Sequence, residues 1–208
     1  MLPYNGCVPR LIDHDRRRED LAQALWRVVT TKGIGAVSIR EVAAEAGVSA
    51  GSLRHLFPTR DQLVIAAAEQ MLRNVERRIM ALPRDVPPVE FAECALAQAL
   101  PLDPERRTEF AVNLALVAEE PAVPALAGIR RETYDGLRQL CRAVVDALRP
   151  ASPDHRDRRS AEEADEAARR LHVLIDGLAF HLFQGGDDGD WTRQTLRGEL
   201  AAIAAPRA

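Results

Sequence analysis

Apolar residues recur at three- and four-residue intervals along almost the whole chain, and no stretch alternates with the period of two that marks a half-buried strand. Helices are therefore expected from end to end. Leu21, Ala24, Leu25, Val28 and Val29 form the stripe of a first helix over about residues 15–32, closed by Gly33, while Trp26 lies off that stripe and is expected to cover a neighbouring surface. Ser38 with Glu41 three residues on has the form of a capping box, and Ile39, Val42, Ala43 and Ala46 give the short helix behind it one apolar face. Gly47 ends that helix, because glycine tolerates the left-handed backbone that a helix terminus usually needs. Ser49 then caps a second short helix with Leu53, Leu56 and Phe57 on one side and Ala50, Gly51, Ser52, Arg54 and His55 on the other.

Pro58 stops this helix, and Thr59 with Gln62 makes a second capping box for a long one carrying Val64, Ala68, Met71, Leu72, Val75, Ile79 and Leu82. The run 84–88 is the clearest break in the chain. Beyond it the pattern predicts a helix over 89–100, another opened by Asp103-Pro104 and carried to Glu119, and a long one over 125–148 after Pro121 and Pro124. The charged, proline-containing run 150–159 reads as a loop, Ser160 and Glu163 as a third capping box opening a helix to about residue 185, and 191–204 as the last helix. The helix over 160–185 is apolar on two sides: Ala164, Ala168, Leu171, Ile175, Leu178 and Leu182 on one, Ala167, Leu174 and His181 on another. A helix apolar on two sides must be covered twice, once by its own domain and once by a partner, and Gly177 permits close approach of a second backbone.

Two short helices joined by the turn Gly47-Val48 make a helix-turn-helix, and small or hydrogen-bonding residues at the front of its second helix suit a reader of the DNA major groove. Residues 21–63 resemble the DNA-binding domain of the tetracycline-repressor (TetR) family of bacterial regulators. Gly33, Ser38, Ile39, Val42, Ala43, Ala46-Gly47-Val48-Ser49, Gly51, Leu53, Phe57, Thr59-Arg60 and Leu63 carry the likeness. Two positions depart from it: Arg54 stands where the family usually has an aromatic residue on the DNA backbone, and Leu56 where it usually has His or Tyr. The resemblance implies an all-α protein of about nine helices, with a helix-turn-helix unit and its N-terminal arm in residues 1–60 and a helical regulatory and dimerisation unit in 61–208. It also implies a homodimer on a palindromic operator of double-stranded DNA, usually as a repressor released by a small-molecule inducer. Ser38, Arg40, Ser49, Arg54 and Arg60 are then expected at phosphates, with Ser52 and His55 at bases and Ala50 and Gly51 permitting close approach. In the resembled family the basic residue at position 60 holds a phosphate together with the helix end beside it. The last two helices would pair with their copies through Leu171, Leu174, Ile175, Leu178, His181, Leu182, Leu196 and Leu200.

The net charge of −3 does not by itself suggest a nucleic-acid partner, but it is unevenly spread. Residues 1–80 hold 12 Lys and Arg against 9 Asp and Glu, a balance of +3 that leaves −6 on the remainder, as suits a chain presenting one end to a polyanion. Arg10 and Arg16 to Arg18 add charge at the end of the arm. No apolar run has the length of a membrane span and no signal-peptide core is visible, so a cytoplasmic protein is expected. Cys7, Cys94 and Cys141 are far apart and are expected to be reduced thiols.

Catalytic and metal chemistry finds little support. Gly47-Val48-Ser49-Ala50-Gly51 spells the GxSxG motif of hydrolases, yet that motif needs a strand before its serine and here a capped helix precedes it. His172 and Asp176 are one helical turn apart, but His181 does not share their face, so no metal and no cofactor is implied. Met71, Phe91, Phe110, Asn113, Tyr134, Leu137 and Cys141 are candidates for an inducer cavity, with Asn113 the most suggestive because a buried amide needs a partner. The alternative to a regulator is a small-molecule-binding or adaptor protein of the same fold without DNA binding.

Overall fold

A computed structural model describes residues 14–149, 158–185 and 189–205. Among them are nine α-helices and no strand: α1 His14–Lys32, α2 Ile39–Glu45, α3 Ala50–Leu56, α4 Arg60–Met80, α5 Pro88–Leu96, α6 Pro104–Glu119, α7 Leu126–Leu148, α8 Arg158–Phe183 and α9 Asp190–Ala204. Single 3-10 turns, Ile34–Ala36 and Ala97–Ala99, follow α1 and α5. The arm with Cys7 and Arg10 lies outside the described residues.

The helix starts follow from local chemistry. Ser49 Oγ accepts from the Ser52 N–H at 3.1 Å, and Asp103 Oδ1 from the Arg106 N–H at 2.8 Å. Thr59 and Gln62 form the complete reciprocal box. Ser38 makes only half of one, accepting from the Glu41 N–H, because the Glu41 carboxylate is drawn away to the Lys32 ammonium. The third box is displaced: α8 begins at Arg158, so Ser160 lies inside the helix. Gly47 has φ 68°, and the Val48 N–H reaches the Ala43 carbonyl while the Gly47 N–H reaches that of Ala44, the paired bonds of a Schellman ending.

Two hydrophobic cores result. The first joins α1, α2, α3 and the front of α4, and extends to Val112 and Leu116 of α6 and on to Val123 and Leu126. The second joins α5 and the far ends of α7, α8 and α9. Trp26 corrects the expectation of a surface cover: it is 1% exposed in the first core, and its indole N–H donates to the Ala67 carbonyl at 3.3 Å, tying α1 to α4. No helix among the described residues is long and apolar enough to cross a membrane.

Candidate DNA-reading head and ligand cavity

Helix α3 packs Leu53 and Phe57 into the first core and turns Gly51, Arg54 and His55 to solvent. Ala50 and Leu56 sit half-buried against the same core, so Leu56 serves packing. Ser52 is also half-buried, and its Oγ accepts from Arg17 Nη2 at 2.6 Å, a bond between α1 and α3 that the run of arginines at 16–18 signalled only as charge. Ser38, Arg40 and Ser49 are exposed on the same head. Ser49 lies between two helices, with its hydroxyl oxygen turned to the α3 N-terminus.

Arg60 is placed otherwise than expected. Its guanidinium points inward, with Nε donating to the Val37 carbonyl at 3.0 Å, Nη2 donating to the Ile34 carbonyl at 3.3 Å, and Nη2 lying 2.7 Å from Glu119 at the end of α6. Nε and Nη2 are spent on the turn before α2 and on a carboxylate, while Nη1 lies 4.0 Å from Asp61.

Behind the head, α4, α6, α7 and α8 line a half-open cavity of about 880 Å³. Met71 and Val75 of α4, Phe110 of α6, Leu137 of α7 and Ile175 of α8 supply apolar wall, and Asn113 adds an amide. Five carboxylates reach the lining: Glu76, Glu109, Glu132, Asp135 and Asp176. Glu109 is neutralised by two bonds from Arg78, at 3.0 and 2.6 Å. Glu76, Glu132 and Asp135 make no ion pair among the described residues. Of the two lining arginines, Arg106 is held by Asp103 at 2.8 Å and by the Ala97 carbonyl at 2.6 Å. Partial burial raises the Asp176 carboxyl above the ordinary carboxylate value, opposed by His172, whose Nε2 lies 3.5 Å away.

The family model for tetR-family bacterial regulatory proteins matches residues 21–67, and that for the C-terminal part of BetI-type transcriptional repressors matches residues 88–205. The chain belongs to the TetR family. It is 33% identical over 177 residues to the HTH-type transcriptional regulator PksA of Bacillus subtilis, covering 84% of this chain and 82% of that one. A transcriptional regulator from Rhodococcus sp. Rha1 has the same fold, with a TM-score of 0.74 at 28% identity over 91% of this chain and 99% of that one. The multidrug binding protein EbrR, solved with malachite green, superposes with a TM-score of 0.64 at 26% identity, covering 91% of this chain and 99% of its own.

Within this TetR-family chain the seven residues named for a cavity divide. Met71, Phe110, Asn113 and Leu137 line it. Phe91 instead carries the Arg84 guanidinium 4.7 Å over its ring, and Tyr134, half-exposed, lies 4.7 Å from the His172 ring. Cys141 is fully buried in the second core, where burial, and secondarily the Asp176 charge, pushes its thiol up to about 12. No group of three His, Cys, Asp or Glu able to hold a metal ion occurs among the described residues.

The dimer-facing set needs a larger correction. Leu171, Ile175, Leu178, Leu182, Leu196 and Leu200 are buried in the chain's own second core and have no surface left for a partner; Leu174 is half-buried. His181 is exposed and lies 5.2 Å from the Trp191 ring. The free apolar surface of α8 and α9 is instead Val173, Phe180 and Trp191, with the exposed Gly177 one turn from each of the first two. The sequence held this face as an i, i+4, i+7 series interrupted by polar neighbours.

Proposed function

We propose that this TetR-family regulator binds a palindromic operator as a homodimer, represses there, and is released by a small-molecule inducer. The observation that carries the DNA reading is α3, whose solvent face is small at its front, at Gly51, and basic in its last turn, at Arg54 and His55, while Leu53 and Phe57 anchor it from behind. Each subunit would lay α3 in a major groove, with half-sites about one helical turn apart, roughly 34–36 Å. Arg54 holds phosphate and His55 reaches base edges. The unpaired Glu76, Glu132 and Asp135, set against the one lining cation unpaired among the described residues, Arg131, leave the cavity net acidic and favour an organic cation, a reading supported by EbrR, solved with the cationic dye malachite green. The test is to sequence genomic fragments retained by the purified protein and to challenge the complexes with tetraphenylphosphonium and its anionic isostere tetraphenylborate. Retention of a palindrome and release by the cation alone are expected; sequence-independent retention defeats the operator reading, and equal release by both ions defeats the cation reading.

Two substitutions sharpen this. Arg54→Ala should weaken binding about equally on matched and mismatched duplexes and lower the slope of log affinity against log salt by roughly 1, as loss of one phosphate contact does. Loss of preference at a single base pair would instead make Arg54 a base reader. Phe180→Glu should convert a dimer to monomer in sedimentation, because it replaces the one aromatic of the Val173–Gly177–Phe180 face by a charge. An unchanged dimer would place the interface elsewhere.

A further inference from the structure

Arg60 opens α4, the position at which the family resemblance expects a phosphate-holding cation, yet its Nε and Nη2 are engaged within the chain. They reach three elements. The Val37 and Ile34 carbonyls belong to the 3-10 turn and the extended residue leading into α2; Glu119 is the last residue of α6; and Arg60 itself is the first of α4. The Glu119 side chain is 16% exposed and that of Arg60 30%, so the pair is more sheltered than a surface ion pair. Planar guanidinium is suited to this task, since its fork can meet a carboxylate and carbonyls at once in fixed directions. Helix α6 also carries Phe110 and Asn113 in the cavity wall. Asn113 precedes Glu119 by six residues, roughly 9 Å along a helix axis. One rigid rod therefore has its middle in the cavity wall and its end on Arg60.

We propose that Arg60 is a positioning residue that fastens the helix-turn-helix to the C-terminal end of α6 through Glu119, and not a phosphate ligand. With the clamp closed, the start of α2 and the start of α4 are held at one angle to the body, so the presentation of α3 follows α6. This coupling goes beyond the ligand reading and does not depend on which molecule fills the cavity.

The test uses the full chain with Cys7, Cys94 and Cys141 replaced by alanine and spin labels at His55→Cys and Arg138→Cys, both exposed sites, one on the head and one on α7. Labelled subunits are diluted into unlabelled protein so that only distances within one chain are read by double electron–electron resonance. Glu119→Ala should turn a narrow distance distribution into a broad one, and Arg60→Lys should do the same, because lysine keeps the charge but loses the fork. Melting temperature, recorded in parallel, keeps a general loss of stability separate from a loosened head. Salt dependence of binding to a short mixed-sequence duplex gives the second measurement: Arg60→Gln should leave the slope unchanged. A narrow distribution in both Glu119→Ala and Arg60→Lys overturns the proposal, and so does a fall of roughly 1 in the slope for Arg60→Gln, which would put the cation on a phosphate. Should Arg60→Gln fail to fold, Glu119→Ala decides alone, since it leaves the bonds to Val37 and Ile34 in place.

Discussion

Replacing Trp26 by alanine should lower the unfolding free energy by about 3–5 kcal/mol, the range for deleting a large aromatic side chain from a packed core. The indole is 1% exposed, in the core that also holds Leu21, Leu25, Val64 and Ala67, and bonds α1 to α4. Two effects contribute unequally. Loss of packing against both helices leaves a void that rigid helices cannot close, and this dominates. Loss of the bond to the Ala67 carbonyl adds less, because that oxygen lies within α4 and can also serve the helix's own ladder. Trp26→Phe, which keeps most of the volume and drops the N–H, should therefore recover the larger part of the loss. Urea unfolding followed by circular dichroism measures both variants. A loss below about 1 kcal/mol for Trp26→Ala would mean that the side chain is not a core element. In the Trp26→Ala protein α1 is the helix expected to loosen first, and Arg17 on it holds Ser52 of α3, so DNA binding should weaken at temperatures where the chain is still folded.

Trp26 also shows what the sequence carried and what it did not. Helix starts were legible because a cap is a local event: Ser49, Thr59 and Asp103 each bond an N–H within three residues, and the pattern of side chains contains the whole interaction. The stripe Leu21–Val29 and the glycine at 47 were legible for the same reason. The burial of Trp26 is not legible from its stripe, because a helix in this fold is covered from more than one side, and its second cover, α4, lies 41 residues away along the chain. Glu41 is a similar case: the spacing predicts its return to Ser38, but Lys32 from the preceding helix competes for the carboxylate and wins with a full opposite charge. Arg60 fails as a local prediction too, since its partner Glu119 sits at the end of another helix. On α8 the number of apolar sides was readable and the assignment of sides was not, because rotation about the helix axis is set by α7 and α9. The spacing predicts the leucines at a partner, whereas they fill the chain's own core and leave Val173 and Phe180 exposed. The cavity is half-legible: Met71, Phe110 and Leu137 follow from apolar spacing and Asn113 from its amide among apolar neighbours, while the acidic lining comes from faces of α4, α6, α7 and α8 that read as ordinary solvent-exposed surface.

That acidic lining contains the other substitution with a large expected effect. Glu109→Ala should destabilise the protein by about 3–5 kcal/mol, because it strips the partner from a mostly desolvated cation. The Glu109 side chain is 6% exposed; it accepts from Arg78 at 3.0 and 2.6 Å and from Asn74 at 3.1 Å. Asn74 in turn accepts from Gln70 at 3.0 Å, and Gln70 reaches Glu19 of α1 at 3.3 Å, so one polar network crosses α6, α4 and α1 beside the first core. After Glu109→Ala, Arg78 would keep only Glu105, 3.9 Å away and largely solvated, while its Nε is already buried without a partner. Arg78 retains 24% exposure and can turn partly to water, which places the expected loss toward the lower end of the range. Glu109→Leu combined with Arg78→Met tests whether the pair or its breakage sets the cost. Removing both charges leaves no unpaired cation, so the double variant should lie close to the parent in urea midpoint although each single one does not. If Glu109→Ala and the double variant were equally destabilised, the network as a whole would be the stabilising unit, and the loss would trace to the Asn74 amide N–H left without its acceptor. The double variant also removes from the cavity wall a carboxylate already neutralised by Arg78, while leaving Glu76, Glu132 and Asp135 in place. Its affinity for tetraphenylphosphonium should therefore stay within a few-fold of the parent, since a carboxylate already satisfied by arginine contributes little net field to a bound cation.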